Sequence, residues 1–165
     1  MKAIVVYESL WGNTAAIARA IAEGLGPEAR ALSTAEASGA AIANADLVVA
    51  GAPVLAFMLP TDKLRASIGA NPGRAPTPPD LSHPSMRSWL KALPKAHGRS
   101  AAFETRIRGP WGKSTPGIAR GLEQAGYAPL AEPCSFIVTG TYGPLQDGEL
   151  QRARLWGVEL AKAME

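Results

Sequence analysis

Apolar positions along this chain alternate between two rhythms, short unbroken runs and stripes spaced by three and four residues. Ile4-Val5-Val6-Tyr7 is a β-branched run that ends in polar Glu8-Ser9, which predicts a first strand over Met1 to Tyr7 buried on both faces. From Asn13 to Leu25 the positions Ile17, Ala18, Ile21 and Leu25 keep helical spacing, and Gly26-Pro27 stops them. The alternation then repeats. A weak strand is predicted at Ala29 to Leu32, a weak helix at Ala35 to Ala43, a strong buried strand at Asp46 to Ala50, and a short helix at Thr61 to Ile68. Prolines 72, 76, 78, 79 and 84 make the stretch from Gly69 to Pro84 an irregular excursion, too short to separate two cores. Beyond it the pattern predicts a small helix from Pro84 to Leu93 and a fourth strand over Arg99 to Glu104. A helix opening at Ser114 or Thr115 and closing at Gly126 comes next, then a fifth strand over Cys134 to Thr139. Asp147 is the expected cap of a last helix whose stripe is Leu150, Ala153, Gly157, Leu160, Ala161 and Met164. Strands alternating with helices predict an α/β fold with a mostly parallel sheet covered on both faces.

A chain of 165 residues with this pattern is expected to form one domain over residues 1–165. No apolar run approaches the ~20 residues of a membrane span. The opening apolar run stops at Glu8, short of a secretory leader, so a cytoplasmic protein without membrane partners is expected. A net charge of +3, from 11 Arg and 6 Lys that are scattered, is too diffuse for nucleic-acid binding. The single Cys134 is expected to be a small buried hydrophobe, and His83 and His97, in loops beside Pro84 and Gly98, surface residues without metal or catalytic roles. Trp89 and Trp156 fall on helix faces as packing residues.

In such sheets ligands sit beyond the carboxyl ends of the strands, which directs attention to Ser9-Leu10-Trp11-Gly12-Asn13-Thr14. Gly12 permits close backbone approach to an anion, Ser9 and Thr14 offer hydroxyls, and free N–H groups open the helix. The alternative is an ordinary strand-to-helix connection capped by Asn13 or Thr14. No Gly-x-x-x-x-Gly-Lys-Ser/Thr run is present, and no acidic cluster of the kind a phosphoryl-acceptor domain needs.

The run Ser9-x-Trp11-Gly12-Asn13-Thr14 after a first strand resembles the FMN-phosphate loop of flavodoxins and of the flavodoxin domains of flavodiiron proteins. The segment from Ala45 to Pro53 is similar to the third strand and the loop that meets the flavin. Thr139-Gly140-Thr141 through Gly148-Glu149-Leu150 looks like the closing strand and helix of small actinobacterial flavodoxin-like proteins. The resemblance implies a flavodoxin-like three-layer sandwich with a five-stranded parallel sheet of order 2-1-3-4-5, helices on both faces, and FMN as cofactor. It places the phosphate on Ser9, Leu10, Trp11, Gly12, Asn13, Thr14 and Ala15. The ring falls between one loop containing Pro53, Val54, Leu55, Ala56 and Phe57 and another containing Thr105, Arg106, Ile107, Arg108, Gly109 and Trp111. Phe57 and Trp111 are the aromatic candidates for stacking on the ring.

The resemblance implies an FMN-binding electron-transfer protein whose partner is a redox protein or a small-molecule acceptor. Two other readings stand beside it. One is an FMN-dependent oxidoreductase acting on a small molecule such as a quinone. The other is a cofactor-free interaction module, supported by Val54-Leu55 where many relatives place a hydroxyl and then an aromatic or His. Acidic electron carriers surround their flavin with negative charge. Here Arg99, Arg106, Arg108, Lys113 and Arg120 face only Glu104 between residues 99 and 120, which predicts a less reducing flavin. The same cations are also readable as a solvated loop or as an attractant for an anionic partner.

Overall fold

The structure is a computed structural model that describes residues 1–165. One sheet is built from β1 (Ala3–Tyr7), β2 (Arg30–Ser33), β3 (Leu47–Pro53), β4 (Gly98–Ile107), β5 (Tyr127–Pro129) and β6 (Cys134–Val138). The connecting helices are α1 (Asn13–Leu25), α2 (Gly39–Ile42), α3 (Asp62–Ala70), α4 (Met86–Lys91), α5 (Thr115–Ala125) and α6 (Glu149–Ala163). Every strand pairing is parallel, in the order β2-β1-β3-β4-β5, and β6 also lies on β4. β5 pairs with residues 98–100 of β4 and β6 with residues 103–107, so the two succeed each other along one neighbour, interrupted by Leu130 to Pro133.

The unbroken apolar runs are explained by burial from both sides. Ile4, Val6, Val48, Ala50 and Ala102 face Ile42 of α2, Met86, Trp89 and Leu90 of α4, and Ile118 and Leu122 of α5. Their sequence neighbours Ala3, Val5, Leu47, Val49 and Phe103 face Ile17 and Ile21 of α1 and Ala153 and Leu160 of α6. Trp156 packs edge-on against Phe136 in this second layer. α3 differs from the others, because the only residue it buries is a charged one, Arg65. No helix is long and apolar enough to cross a membrane.

Several boundaries depart from the sequence pattern. α2 is a single turn, since Ser38 caps it by accepting from the Ala41 N–H at 3.2 Å and Ala37 turns inward ahead of it. α4 starts at Met86 with Ser85 as its cap, leaving Pro84 outside, where its carbonyl accepts the Thr34 hydroxyl at 2.6 Å. β3 and β4 run further toward the carboxyl end than their apolar stretches, and β5 is an additional short strand. At α6 the cap is Gly148, in a left-handed conformation, instead of Asp147, and Leu150 is exposed because Glu149 takes the inward position one residue earlier, in line with Ala153, Gly157 and Leu160. Cys134 is half-buried and accepts a contact from Arg152 at 3.3 Å, and burial pushes its thiol pKa up.

Candidate cofactor site

The sheet order reverses between β1 and β3, and the loops leaving β1, β3, β4 and β6 converge there. The β1 loop turns into α1 at Gly12, whose φ of 94° lies in the left-handed region. A Cβ on Gly12 would touch nothing within 4 Å, so the glycine is required by backbone conformation and the space above it is open. The residue at the cap position of α1 is Gly12, which has no side chain to cap it with. Ser9 Oγ instead accepts from the N–H groups of Gly12 (3.1 Å) and Ala15 (3.2 Å), which leaves its own hydroxyl proton free to donate. The N–H groups of Trp11, Asn13 and Thr14 make no hydrogen bond within the chain. These are oriented, unsatisfied donors at the positive end of a helix, the arrangement that receives an anion. An ordinary connection capped by Asn13 or Thr14 would look otherwise: the Thr14 hydroxyl lies 2.8 Å from that of Thr105 across the cleft.

The cleft beside this loop is lined by Ser9, Leu10, Trp11, Asn13, Thr14, Pro53, Val54, Leu55, Thr105 and Ile107, together with Val138 and Thr141. An adjoining apolar hollow gathers Val54, Leu55, Ala56, Phe57, Arg106, Ile107, Trp111 and Thr141. The structure thus brings the expected residues of all three segments to one place. Gly12 and Ala15 contribute backbone only, and Arg108 and Gly109 lie outside both hollows.

The loops that follow β3 and β4 are held together by backbone. Leu55 and Met58 exchange two hydrogen bonds (3.0 and 3.1 Å) around Ala56 and Phe57, whose φ values of 48° and 66° make a tight hairpin turn from residues that resist it. Met58 bridges Lys113, and a Cβ on Gly112 would lie 1.9 Å from the Phe57 carbonyl oxygen. The Val54 N–H donates to the Thr105 carbonyl at 2.9 Å. Held this way, Phe57 and Trp111 remain 63% and 49% exposed, with ring centroids 6.0 Å apart. That is less than the ~7 Å that a planar ring needs between two aromatic faces, so the pair offers one outer face for stacking.

The local charge differs from the count of cations in the sequence. Arg99 sits at the amino end of β4, opposite the site, and Arg120 on the exposed side of α5. Arg106 is buried, faces Glu104 at 3.6 Å and donates to the Gly109 carbonyl, so its charge is neutralised within the scaffold. Arg108 reaches Gln146 at 3.1 Å. Only Arg108 and Lys113 remain as free cations on these loops.

Under the β1 loop lies a cluster with no counterpart in the apolar pattern. His83 is 5% exposed and not the expected surface residue, and its Nε2 accepts the Ser9 N–H at 3.1 Å. His97 is exposed. Fully buried Glu8 accepts the Met86 N–H at 2.8 Å and faces Arg65 at 3.3 Å, while Arg65 donates to the His83 carbonyl at 2.6 Å. Burial pushes the Glu8 pKa up to about 7 against the pull of the Met86 amide and Arg65. Burial, then the Arg65 charge, lowers that of His83. The proline-rich excursion brings this histidine in. Its Asp80 N–H donates to the Leu10 carbonyl at 2.8 Å, and its Thr77 carbonyl accepts the Trp11 indole N–H at 3.2 Å. The other side of Trp11 meets Tyr142 edge-on at 4.8 Å. Val138 and Thr141 fall outside the expected site segments; their position at and just beyond the carboxyl end of the last strand is the signal that could have found them.

No family model and no curated protein matches the chain. Solved structures do. A flavodoxin from the domain Archaea aligns over 99% of both chains at 18% identity, with a TM-score of 0.68. Oxidised flavodoxin 1 from Bacillus cereus aligns over 98% of both at 17% identity, with a TM-score of 0.67. The chain has the flavodoxin-like fold. A flavodiiron core from Synechocystis sp. shows the same relation within a larger protein, 98% of this chain matching 35% of that one at 19% identity and a TM-score of 0.61. In flavodoxin-like terms β5 and β6 together occupy the fifth strand position, beside β4.

Proposed function

We propose that this flavodoxin-like chain, acting as one domain, binds FMN and passes electrons to a redox partner protein or a small-molecule acceptor. The observation that carries the reading is the set of unpaired amides at Trp11, Asn13 and Thr14 around an open Gly12. Those amides with the Ser9 hydroxyl would hold the phosphate, Thr14, Thr105 and Thr141 line the passage from it, and the ring would meet Val54, Leu55, Phe57, Ile107 and Trp111. The bound flavin supplies the redox chemistry. The chain's own residues position it, shield one face, and set the charge around it. Val54-Leu55 makes that surroundings apolar, consistent with binding by shape and stacking more than by polar contacts.

Titration with FMN is expected to quench flavin fluorescence in the wild type. The Gly12→Val variant is expected to bind about 100-fold more weakly or worse, because a branched side chain at positive φ distorts the cradle and fills its mouth. Its folding stability should fall by only about 1–2 kcal/mol, since the Cβ meets no neighbour. Normal binding by the variant would show that the loop has been assigned wrongly.

The midpoint potential is expected to be less negative than that of acidic flavodoxins, through Arg108 and Lys113 more than Arg106. Arg108→Gln should lower it by about 20–40 mV in a reductive dye titration, as expected for an exposed charge worth up to ~1 kcal/mol. An unchanged value would remove Arg108 from the account.

The open apolar face of Phe57, Ile107 and Trp111 also favours a second reading, an FMN-dependent oxidoreductase with a flat substrate such as a quinone. Consumption of NAD(P)H with a quinone acceptor by the isolated protein would select it over a carrier.

A further inference from the structure

Resting on the proposed phosphate cradle, we infer that His83 is its positioning residue, and that a neutral His83 ring accepting the Ser9 N–H is what holds the loop in its anion-receiving form. The geometry defines the tautomer. Nε2 takes the Ser9 N–H at 3.1 Å, so it carries no proton, and the ring proton sits on Nδ1, which faces Asp80 at 3.7 Å. Ser9 is the residue whose Oγ in turn gathers the Gly12 and Ala15 amides. A chain of contacts therefore runs from His83 through the Ser9 backbone to the two amides that set the mouth of α1.

Protonation at Nε2 would set a donor against a donor and break the first contact. The charged groups around the ring come from three elements. Asp80 of the excursion favours the proton and Arg65 of α3 opposes it, while Glu8 at the end of β1 faces Arg65 at 3.3 Å and, keeping its own proton up to about pH 7, leaves that opposition in place on acidification. Asp62 and Arg87 act on Glu8 from α3 and α4. Burial of the ring favours the neutral form, so the cradle is held at neutral pH and released on acidification.

The test measures FMN dissociation constants between about pH 8 and about pH 5 for the wild type, His83→Gln and His83→Leu. The phosphate ester itself gains a proton near pH 6, equally for all three, so ratios between proteins are read. Glutamine keeps an acceptor where Nε2 stands and cannot titrate; leucine removes the acceptor. His83→Gln is expected to match the wild type at about pH 8 and to bind about tenfold more tightly than it at about pH 5. His83→Leu is expected to bind about tenfold more weakly than the wild type at pH 8. In parallel, nitrogen NMR of the free wild type should show Nε2 as an unprotonated acceptor at pH 8. A wild-type to His83→Gln ratio that stays constant with pH, a leucine variant that binds like the wild type, or a proton found on Nε2 overturns the inference while leaving the cradle standing. A wild type that fails to bind FMN at any pH overturns the cradle and the inference with it.

Discussion

Replacing Glu104 with alanine lowers the folding stability by about 3–5 kcal/mol, a loss expected when one partner of a buried charged network is removed. Glu104 is fully buried near the carboxyl end of β4. One carboxylate oxygen accepts the N–H groups of Ser114 (2.6 Å), the cap residue of α5, and of Thr115 (3.0 Å), its first residue, and the other accepts the Ser135 hydroxyl at 2.8 Å and faces Arg106. A side chain from the neighbouring strand thus does the capping that Ser114 does not do for its own helix. Alanine would leave two amides, a hydroxyl and a guanidinium without their acceptor in a dry environment. At this chain length the loss corresponds to a drop in melting temperature of roughly 10 °C or more. Glu104→Gln, which retains one carbonyl oxygen, should lose about half as much. Because Arg106 also ties down the Gly109 carbonyl, the Thr105 to Lys113 loop should become more mobile in the alanine variant, visible as faster amide exchange there. Chemical unfolding within about 1 kcal/mol of the wild type would refute this role.

Stability is also expected to fall as pH rises from about 4.5 to about 7, by about 3 kcal/mol attributable to Glu8. The sign follows from proton uptake. In the folded protein Glu8 holds its proton up to about pH 7, whereas the unfolded chain releases it near the ordinary value of 4.5. Between those values the folded state binds more protons, so the stabilisation is complete below about 4.5 and is lost as pH climbs through 7. His83 works in the opposite direction. Its lowered pKa contributes stability above its ordinary value of 6.5, and that contribution is lost on acidification. Urea unfolding of wild type and Glu8→Gln from about pH 4.5 to pH 8 separates the two groups, since only the Glu8 component disappears in the variant. Parallel stability profiles for the two proteins would mean that Arg65 stabilises the Glu8 charge more fully than its burial opposes it.

What the sequence makes legible here is whatever local chemistry decides. α1 can be bounded at Asn13 and Leu25 because Gly12 and Gly26 stand at its ends and its stripe is regular. The central strands are unbroken apolar runs because both of their faces are covered. The features that escape are decided by distant partners. β4 continues past Glu104 through Thr105 and Arg106, which look unlike a buried strand until Thr14 and the Gly109 carbonyl supply their partners. α2 is overextended because a run of alanines has no stripe to mark where the helix begins. The hairpin at Ala56-Phe57 has no glycine or asparagine to announce it. His83 sits among prolines with no periodicity, and its burial follows from Ser9, 74 residues earlier. The Ser9 to Thr14 loop is visible as a motif, but the cluster beneath it is not.

The interruption between β5 and β6 has a consequence for life at high concentration. An exposed sheet border invites a neighbouring molecule to add its own strand, and long flat borders are where fibrils and precipitates start. Here the outer border is broken into lengths of three and five residues, with Pro129 and Pro133 around the gap unable to donate a ladder hydrogen bond. A second chain attempting to zip along it would lose register at the gap, so the same irregularity that divides one strand into two guards against self-templated aggregation.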